Sequence, residues 1–199
     1  MKTAQNDTRA HILDVGYQLI AQKGFVGVGL AEILQQAGVP KGSFYHYFPS
    51  KELFGQALIE HYFADYVTQM SALFNDQAKS PRERLMSYWR YVMERQTANY
   101  SERNEEQRCL VVKLSAEVAD LSEAMRLALL AGYREVISLI AQCMREGVAD
   151  GSLPARLFPE LDAQILYHLW LGASLSNKLT KDGAPLSAAL RHTEQILAM

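Results

Sequence analysis

Apolar side chains recur along this 199-residue chain at the three- and four-residue spacing of amphipathic α-helices. No stretch of useful length alternates apolar and polar residues, as a half-buried strand does. The pattern therefore predicts an all-α fold of about nine helices. After a first helix capped by Asp7 or Thr8 and ended by Gly24, the predicted helices cover residues 30–37, 41–47, 51–75, 81–98, 109–118, 122–148, 160–180 and 185–198.

The stretch 28–55 contains two short predicted helices separated by a glycine. The first has one apolar stripe from residue 30 to residue 37, and Gly38 then allows the chain to reverse tightly. Pro40 fits the first turn of the second helix, where a missing N–H costs nothing. The second helix, residues 41–47, is polar and basic on its outer side. Two such helices are typical of the helix-turn-helix that reads the DNA major groove.

Ten apolar residues are predicted to form the core of this three-helix head: Leu13, Leu19, Ile20, Phe25, Leu30, Ile33, Leu34, Val39, Phe44 and Phe48. If Phe44 and Phe48 face inward, the polar residues between and before them face outward. The start of the next helix, behind Ser50, adds one more basic residue and backbone N–H groups. The predicted DNA contacts are Lys41, Gly42, Ser43, Tyr45, His46 and Lys51.

The run AGV-PKGSFYHYF, followed by SKEL, resembles the DNA-binding head of TetR-type bacterial repressors. The resemblance implies a homodimer on double-stranded operator DNA, with a DNA-binding domain at 1–50 and a helical regulatory and dimerisation domain at 51–199. Inducer binding is then expected to move the two heads apart. One departure is Gly27-Val28-Gly29, because such proteins usually open the second helix with Ser or Thr, whose hydroxyl caps it and touches phosphate.

Composition and charge place the chain among ordinary globular proteins, with 49% apolar and 21% charged residues. No run approaches the roughly 18 apolar residues of a membrane span, and the N-terminus lacks the apolar core of a signal peptide, so we expect a cytoplasmic protein without membrane contact. The net charge is −2, but residues 1–51 carry five basic and three acidic side chains. A basic head on an acidic body suits local phosphate binding.

The last two predicted helices are rich in small and apolar residues. Two interpretations remain open: a central core helix packed between two layers, or a four-helix dimer interface to which each subunit contributes two helices. The resemblance favours the interface. Two-fold symmetry would then make the operator an approximate palindrome.

Two further stretches, CLVVKLSAEVADLSEAMR and LYHLWLGASLSNKL, are similar to the NemR-type subgroup, repressors of N-ethylmaleimide reductase that respond to reactive electrophiles and oxidants. The resemblance implies that Cys109 is the sensing cysteine and Lys178 its partner. An ammonium beside a thiol favours the thiolate, and a lysine can condense with an oxidised sulfur. Ala119 stands where relatives carry another thiol, which makes a disulfide mechanism less available, and Cys143 is expected to pack.

A reversible, non-covalent apolar inducer is the alternative within the same class. Seven residues are candidates for lining its pocket: Tyr62, Tyr66, Trp89, Met93, Tyr133, Tyr167 and Trp170. An enzyme is not expected, because the five histidines form no cysteine–histidine signature or metal-spaced cluster. No Gly-rich phosphate loop occurs either. We therefore predict no catalytic residue, no metal and no cofactor.

Overall fold

The computed structural model describes residues 2–97 and 110–199, in which every regular element is a helix. This confirms the all-α prediction. The helices are α1 (Lys2–Lys23), α2 (Leu30–Ala37), α3 (Lys41–Tyr47), α4 (Lys51–Phe74), α5 (Pro81–Thr97), α6 (Leu110–Val118), α7 (Glu123–Asp150), α8 (Pro159–Thr180) and α9 (Ala184–Ile196).

The helix ends follow the glycine, proline and serine signals of the sequence. Gly24 and Gly38 adopt left-handed φ values of 82° and 65°, which let the chain leave α1 and α2. Ser80 and Glu83 exchange hydrogen bonds as a capping box at the start of α5. The cap predicted at Asp7 or Thr8 was wrong, since α1 already begins at Lys2. Lysine, alanine and glutamine are good helix formers and allow this extension.

The chain divides into two compact units. The first contains the described residues 2–64 and 110–132, and the second contains 65–97 and 133–199. The first unit therefore includes α6 and the beginning of α7 together with the helix-turn-helix. Both α4 and α7 continue across the division.

Close approaches at glycine shape the first unit. A Cβ built on Gly16 of α1 would lie 2.2 Å from the ring of Phe54, and one on Gly132 of α7 would lie 2.1 Å from Phe63. A Cβ on Gly55 would lie 2.6 Å from the ring of Phe25. Carbon atoms normally keep about 3.5–4.0 Å apart. The absence of side chains at these glycines is therefore what lets α1, α4 and α7 pack so closely.

The second unit is built around stacked tryptophans. Trp89 of α5 and Trp170 of α8 have ring centroids 5.1 Å apart and nearly parallel planes. The indole N–H of Trp170 donates to Thr193 Oγ1 of α9 at 3.0 Å. Arg84, almost fully buried, donates to the carbonyl of Phe74 and pairs with Glu146 at 3.0 Å. These contacts fix α5, α8 and α9 together and tie the end of α4 to α7.

Within residues 2–97 and 110–199, one helix has the length and apolar character of a membrane span. This is α7, but 44% of its most apolar window is buried inside the protein. Burial of this kind is what a core helix shows, and one such helix is weak evidence for a membrane protein.

Candidate nucleic-acid interface and sensing residues

An aromatic cluster holds α3 in place. Phe44 is fully buried, and its ring centroid lies 5.3 Å from that of Phe48 and 5.4 Å from that of Phe54. A helix of seven residues is not stable by itself, so its position depends on these contacts. They confirm that Phe44 and Phe48 face inward.

The opposite side of α3 faces outward, as the sequence predicts. Lys41, Gly42, Tyr45 and His46 are exposed, and Ser43 is half-buried. Tyr45 keeps 45% of its surface accessible, and the Lys41 ammonium lies 5.8 Å from its ring centroid. A cation, a phenol and an imidazole therefore share one exposed surface of the dimensions that a major groove accepts. Their contact with DNA stays a prediction.

Lys51 is more enclosed than the sequence indicates. Its Nζ donates to the carbonyl oxygen of Phe25 at 2.8 Å and lies 4.5 Å from the centroid of the Phe25 ring. Burial lowers the pKa of Lys51, while Glu52 and Glu117 act in the opposite direction. In this structure the ammonium is hydrogen-bonded to the turn between α1 and α2. A contact between the ammonium and a DNA phosphate stays a prediction.

The start of α2 lacks a side-chain cap. The N-cap residue is Gly29, with φ −81° and ψ 151°, and no side chain accepts from the first N–H groups. The helix therefore starts without the Ser or Thr cap that TetR-type repressors usually have, as the residues Gly27-Val28-Gly29 indicate. These backbone N–H groups lie at the positive end of the helix dipole, where they suit an anion.

A set of polar contacts from α6 to the turn after α1 is not predictable from sequence spacing. Glu117 accepts hydrogen bonds from the backbone N–H groups of Phe25, at 3.0 Å, and Val26, at 2.5 Å. Lys113 donates to the carbonyl oxygen of Gln22 at 3.1 Å. The partners are more than 90 positions apart in sequence. Only a glycine signal, Gly24, marks the turn itself.

The predicted sensing residues lie in different parts of the chain. Cys109 lies outside the described residues and immediately precedes Leu110, the first residue of α6. Lys178 is half-buried near the end of α8. Cys143 is buried, donates to the carbonyl of Pro81 at 3.4 Å, and has its pKa raised by burial to about 12. Such a thiol packs and does not react, as expected for Cys143.

The pocket candidates are only partly brought together. Trp89, Tyr167 and Trp170 are buried in the second unit, where Tyr133 lies 5.5 Å from Tyr167 by ring centroids. The Tyr66 hydroxyl is 2.9 Å from that of Tyr88, and Met93 is half-buried one turn beyond Trp89. The remaining candidate, Tyr62, belongs to the first unit and stacks on Tyr17.

Trp89 also carries a buried polar group for which the described residues offer no partner. Its Nε1–H is buried and makes no hydrogen bond among the described residues. An unsatisfied buried donor costs free energy unless an acceptor reaches it.

An apolar stripe is exposed on α8. Six residues at alternating steps of four and three share one side of the helix, and the four large ones expose between 47% and 82% of their surface. Steps of three and four residues keep these side chains on one side of the helix, as in a helix–helix seam. The stripe consists of Leu161, Ile165, His168, Gly172, Leu175 and Leu179.

A helix-turn-helix head with an exposed basic and aromatic second helix, joined to an all-helical body, defines a DNA-binding transcriptional regulator. The sequence matches the model of bacterial regulatory proteins of the tetR family over residues 12–64, and the tetracyclin repressor-like C-terminal domain over residues 81–193. The chain belongs to the TetR family.

Two relatives illustrate the similarity. The chain is 43% identical to the HTH-type transcriptional repressor NemR of Escherichia coli K12, over 99% of this chain and 97% of that protein. It is 32% identical to the repressor DhaR of Mycobacterium sp. GP1, over 94% and 90% of the two chains. The crystal structure of E. coli NemR in its reduced form superposes with a TM-score of 0.90 at 44% identity, over 96% of this chain and 97% of that one. The chain is thus a NemR-like transcriptional repressor of a family that binds operator DNA as dimers.

Proposed function

We propose that this repressor is released from its operator when an electrophile or oxidant modifies Cys109. The observation that carries the proposal is the similarity to NemR along almost the whole chain, including the segments that contain Cys109 and Lys178. The similarity to a structure described as the reduced form of that protein supports a thiol in the unmodified state. The protein would act in the cytoplasm, where thiols stay reduced.

For operator binding we assign base or phosphate contacts to the exposed side of α3. Lys41 at the helix start, Tyr45 and His46 can donate to phosphate or base edges, and Gly42 and Ser43 leave room for close approach. The N–H groups at the start of α4, near Lys51, can bind a further phosphate.

Dimerisation is assigned to α8 and α9. The exposed stripe on α8, with Leu175 and Leu179 at one end, is an apolar seam of the kind that a second copy covers. A Cβ on Gly172, in the middle of the stripe, would have no packing neighbour within 4 Å in the described part of the chain. The glycine therefore leaves space for a helix from outside.

The chemistry at Cys109 follows from its position. Cys109 directly precedes α6 in the sequence, and the positive end of a helix dipole favours a thiolate. The resemblance to NemR-type repressors assigns Lys178 as its partner, and an ammonium beside a thiol favours the thiolate. With a quinone, the thiolate forms a carbon–sulfur bond to the ring, and the ring takes up the proton as it becomes a hydroquinone thioether. With hypochlorite, the O–Cl bond breaks, the oxygen is transferred to the thiolate sulfur to give a sulfenate, and chloride leaves with the electron pair.

A gel-shift assay with the upstream intergenic DNA tests this proposal. The wild-type protein should bind the DNA and lose it on titration with p-benzoquinone or with hypochlorite. Cys109→Ser should bind equally well and resist both reagents, whereas the matched control Cys143→Ser should respond like the wild type. Undiminished release of Cys109→Ser would reject the cysteine mechanism.

A reversible apolar inducer is the second candidate, favoured by the unpartnered indole N–H of Trp89 in the stacked tryptophan core. A ligand that supplies an acceptor to this donor would gain a buried hydrogen bond. Under this alternative, dialysis without a reductant restores DNA binding, which a covalent adduct does not allow.

A further inference from the structure

The end of α1 and the turn that follows it, residues 22–26, are held by two side chains of α6. Backbone carbonyls at the end of a helix have no partner within the helix, and the N–H groups just beyond it belong to no regular element. Lys113 donates to one such carbonyl, that of Gln22, and Glu117 accepts from the N–H groups of Phe25 and Val26. The two side chains are four positions apart, so they emerge from the same side of α6.

We propose that Glu117 and Lys113 form a latch through which α6 positions the helix-turn-helix for operator binding. They are positioning residues, since neither is placed at the DNA. The proposal rests on the proposed function in one respect only: the event that disturbs α6 is modification of Cys109.

The turn is shaped to receive the carboxylate. Gly24 has φ +82°, a conformation that other residues rarely adopt, and a Cβ there would lie 2.8 Å from Glu117 Oε2. Any side chain at this position would meet the carboxylate. Glycine therefore provides both the backbone conformation and the space for Glu117.

The same turn is connected to the DNA-binding side of the head. Lys51, at the first position of α4, donates to the carbonyl of Phe25, and the Phe25 ring packs against the Cα of Gly55. On the other side only residues 27–29 separate Val26 from the start of α2. A shift of the turn must therefore move the start of α2 or the start of α4, the two places where phosphate contacts are expected.

The latch also lies close in sequence to the proposed sensing residue. Cys109 directly precedes α6, and Lys113 is the fourth residue of that helix of nine. A group added at residue 109 is therefore attached next to the first residue of the helix that carries both latch residues.

Electrostatics alone predicts the opposite effect of removing Glu117. A carboxylate beside the DNA-binding head repels phosphate, so its loss should tighten binding if charge were all that mattered. The latch predicts weaker binding, because the turn is no longer held. The sign of the change thus separates the two accounts.

The test compares Glu117→Ala, Glu117→Gln and the control Asp120→Ala in the full-length protein. Asp120 is an exposed acid in the turn after α6, so its replacement removes the same charge without touching the latch. We expect Glu117→Ala to lose about tenfold in affinity for the intergenic DNA, which corresponds to about 1.4 kcal/mol. Glu117→Gln keeps one acceptor and should recover part of the loss, and Asp120→Ala should bind at least as tightly as the wild type.

Release supplies the second measurement. Coupling between sites typically changes affinity by about 5- to 150-fold, and in Glu117→Ala we expect p-benzoquinone to change operator affinity by about twofold or less. Amide hydrogen exchange of Phe25 and Val26, slow in the wild type and fast in Glu117→Ala, reports the latch without DNA or reagent.

The outcomes separate the two proposals. A wild-type protein that ignores the reagent rejects cysteine sensing, whereas the affinities and hydrogen exchange of the Glu117 variants still test the latch. Glu117→Ala with wild-type affinity and wild-type release overturns the latch and leaves sensing intact. Tighter binding by Glu117→Ala than by Asp120→Ala also overturns it, because charge then explains the result.

Discussion

Replacing Gly16 by alanine should damage the DNA-binding head although the residue is buried. The added Cβ would lie 2.2 Å from the terminal ring carbon of Phe54. Phe54 is fully buried, and its ring is packed against Phe48, at 5.1 Å, and Phe44, at 5.4 Å, which hold α3. If the Phe54 ring moves away from the added Cβ, it must press on Phe44 and Phe48, which hold α3.

The size of the effect follows from two opposing contributions. Overpacking a core costs about 1–3 kcal/mol. Alanine in place of glycine within a helix stabilises the folded state by about 0.8–1.0 kcal/mol. Because the neighbouring ring is itself fully enclosed, we take the upper part of the range and expect a net loss of about 1–2 kcal/mol. A loss of 1 kcal/mol lowers the melting temperature of a protein of this length by about 2–4 °C.

Thermal unfolding followed by circular dichroism at one fixed protein concentration measures this change, since a dimer melts at a concentration-dependent temperature. Gel-shift titration with the intergenic DNA measures the consequence for α3. Gln18→Ala, at an exposed position of the same helix, is the control, because it adds no atom that could meet Phe54. If Gly16→Ala melts no lower than the wild type and binds DNA equally well, the packing of Gly16 on Phe54 does not position α3.

Three other predictions concern separate parts of the molecule. Gly29→Ser should supply the missing cap of α2, adding a few tenths of a kcal/mol in thermal unfolding and tightening operator binding several-fold in a gel shift; unchanged affinity would argue against a phosphate at this position. Leu175→Glu on the α8 stripe should weaken dimerisation by about 30-fold or more, measured by sedimentation, as expected for a central interface residue, and a dimer of wild-type strength would place the interface elsewhere. In native protein at pH 8 a thiol reagent should modify Cys109 quickly and leave Cys143 unreacted until guanidinium is added, because a pKa of about 12 leaves only about one part in ten thousand of Cys143 as thiolate; fast loss of both thiols would contradict that burial.

The helix-turn-helix is predictable from sequence because its signals are local. The bounds of α2 and α3 follow from an apolar stripe, Gly38 and Pro40, and the structure places them where these residues indicate. The inward orientation of Phe44 and Phe48 follows from the same short-range pattern. The sequence pattern alone therefore predicts which residues of α3 are exposed.

The long-range features are not predictable in this way. The contact between Glu117 and Phe25 joins residues 92 positions apart, and the sequence around Glu117 reads as one more amphipathic helix. The division at residue 50 that the resemblance implies stays a prediction, and the sequence pattern does not reveal that α6 lies in the same compact unit as the head. Periodicity reveals which side of a helix is buried but not which partner covers it.

The grouping of α6 with the head has a consequence for how such a repressor can respond to a thiol reagent. If the segment after Cys109 belonged only to a distant regulatory domain, a signal would have to pass through α4 or α7, the helices that continue between the two units. With α6 bonded directly to the turn after α1, the nine residues of one helix connect the proposed sensing position to the head. Coupling requires an element that both sites bias. In our proposal α6 is this element, and it acts through two side chains, Lys113 and Glu117, each of which can be removed separately.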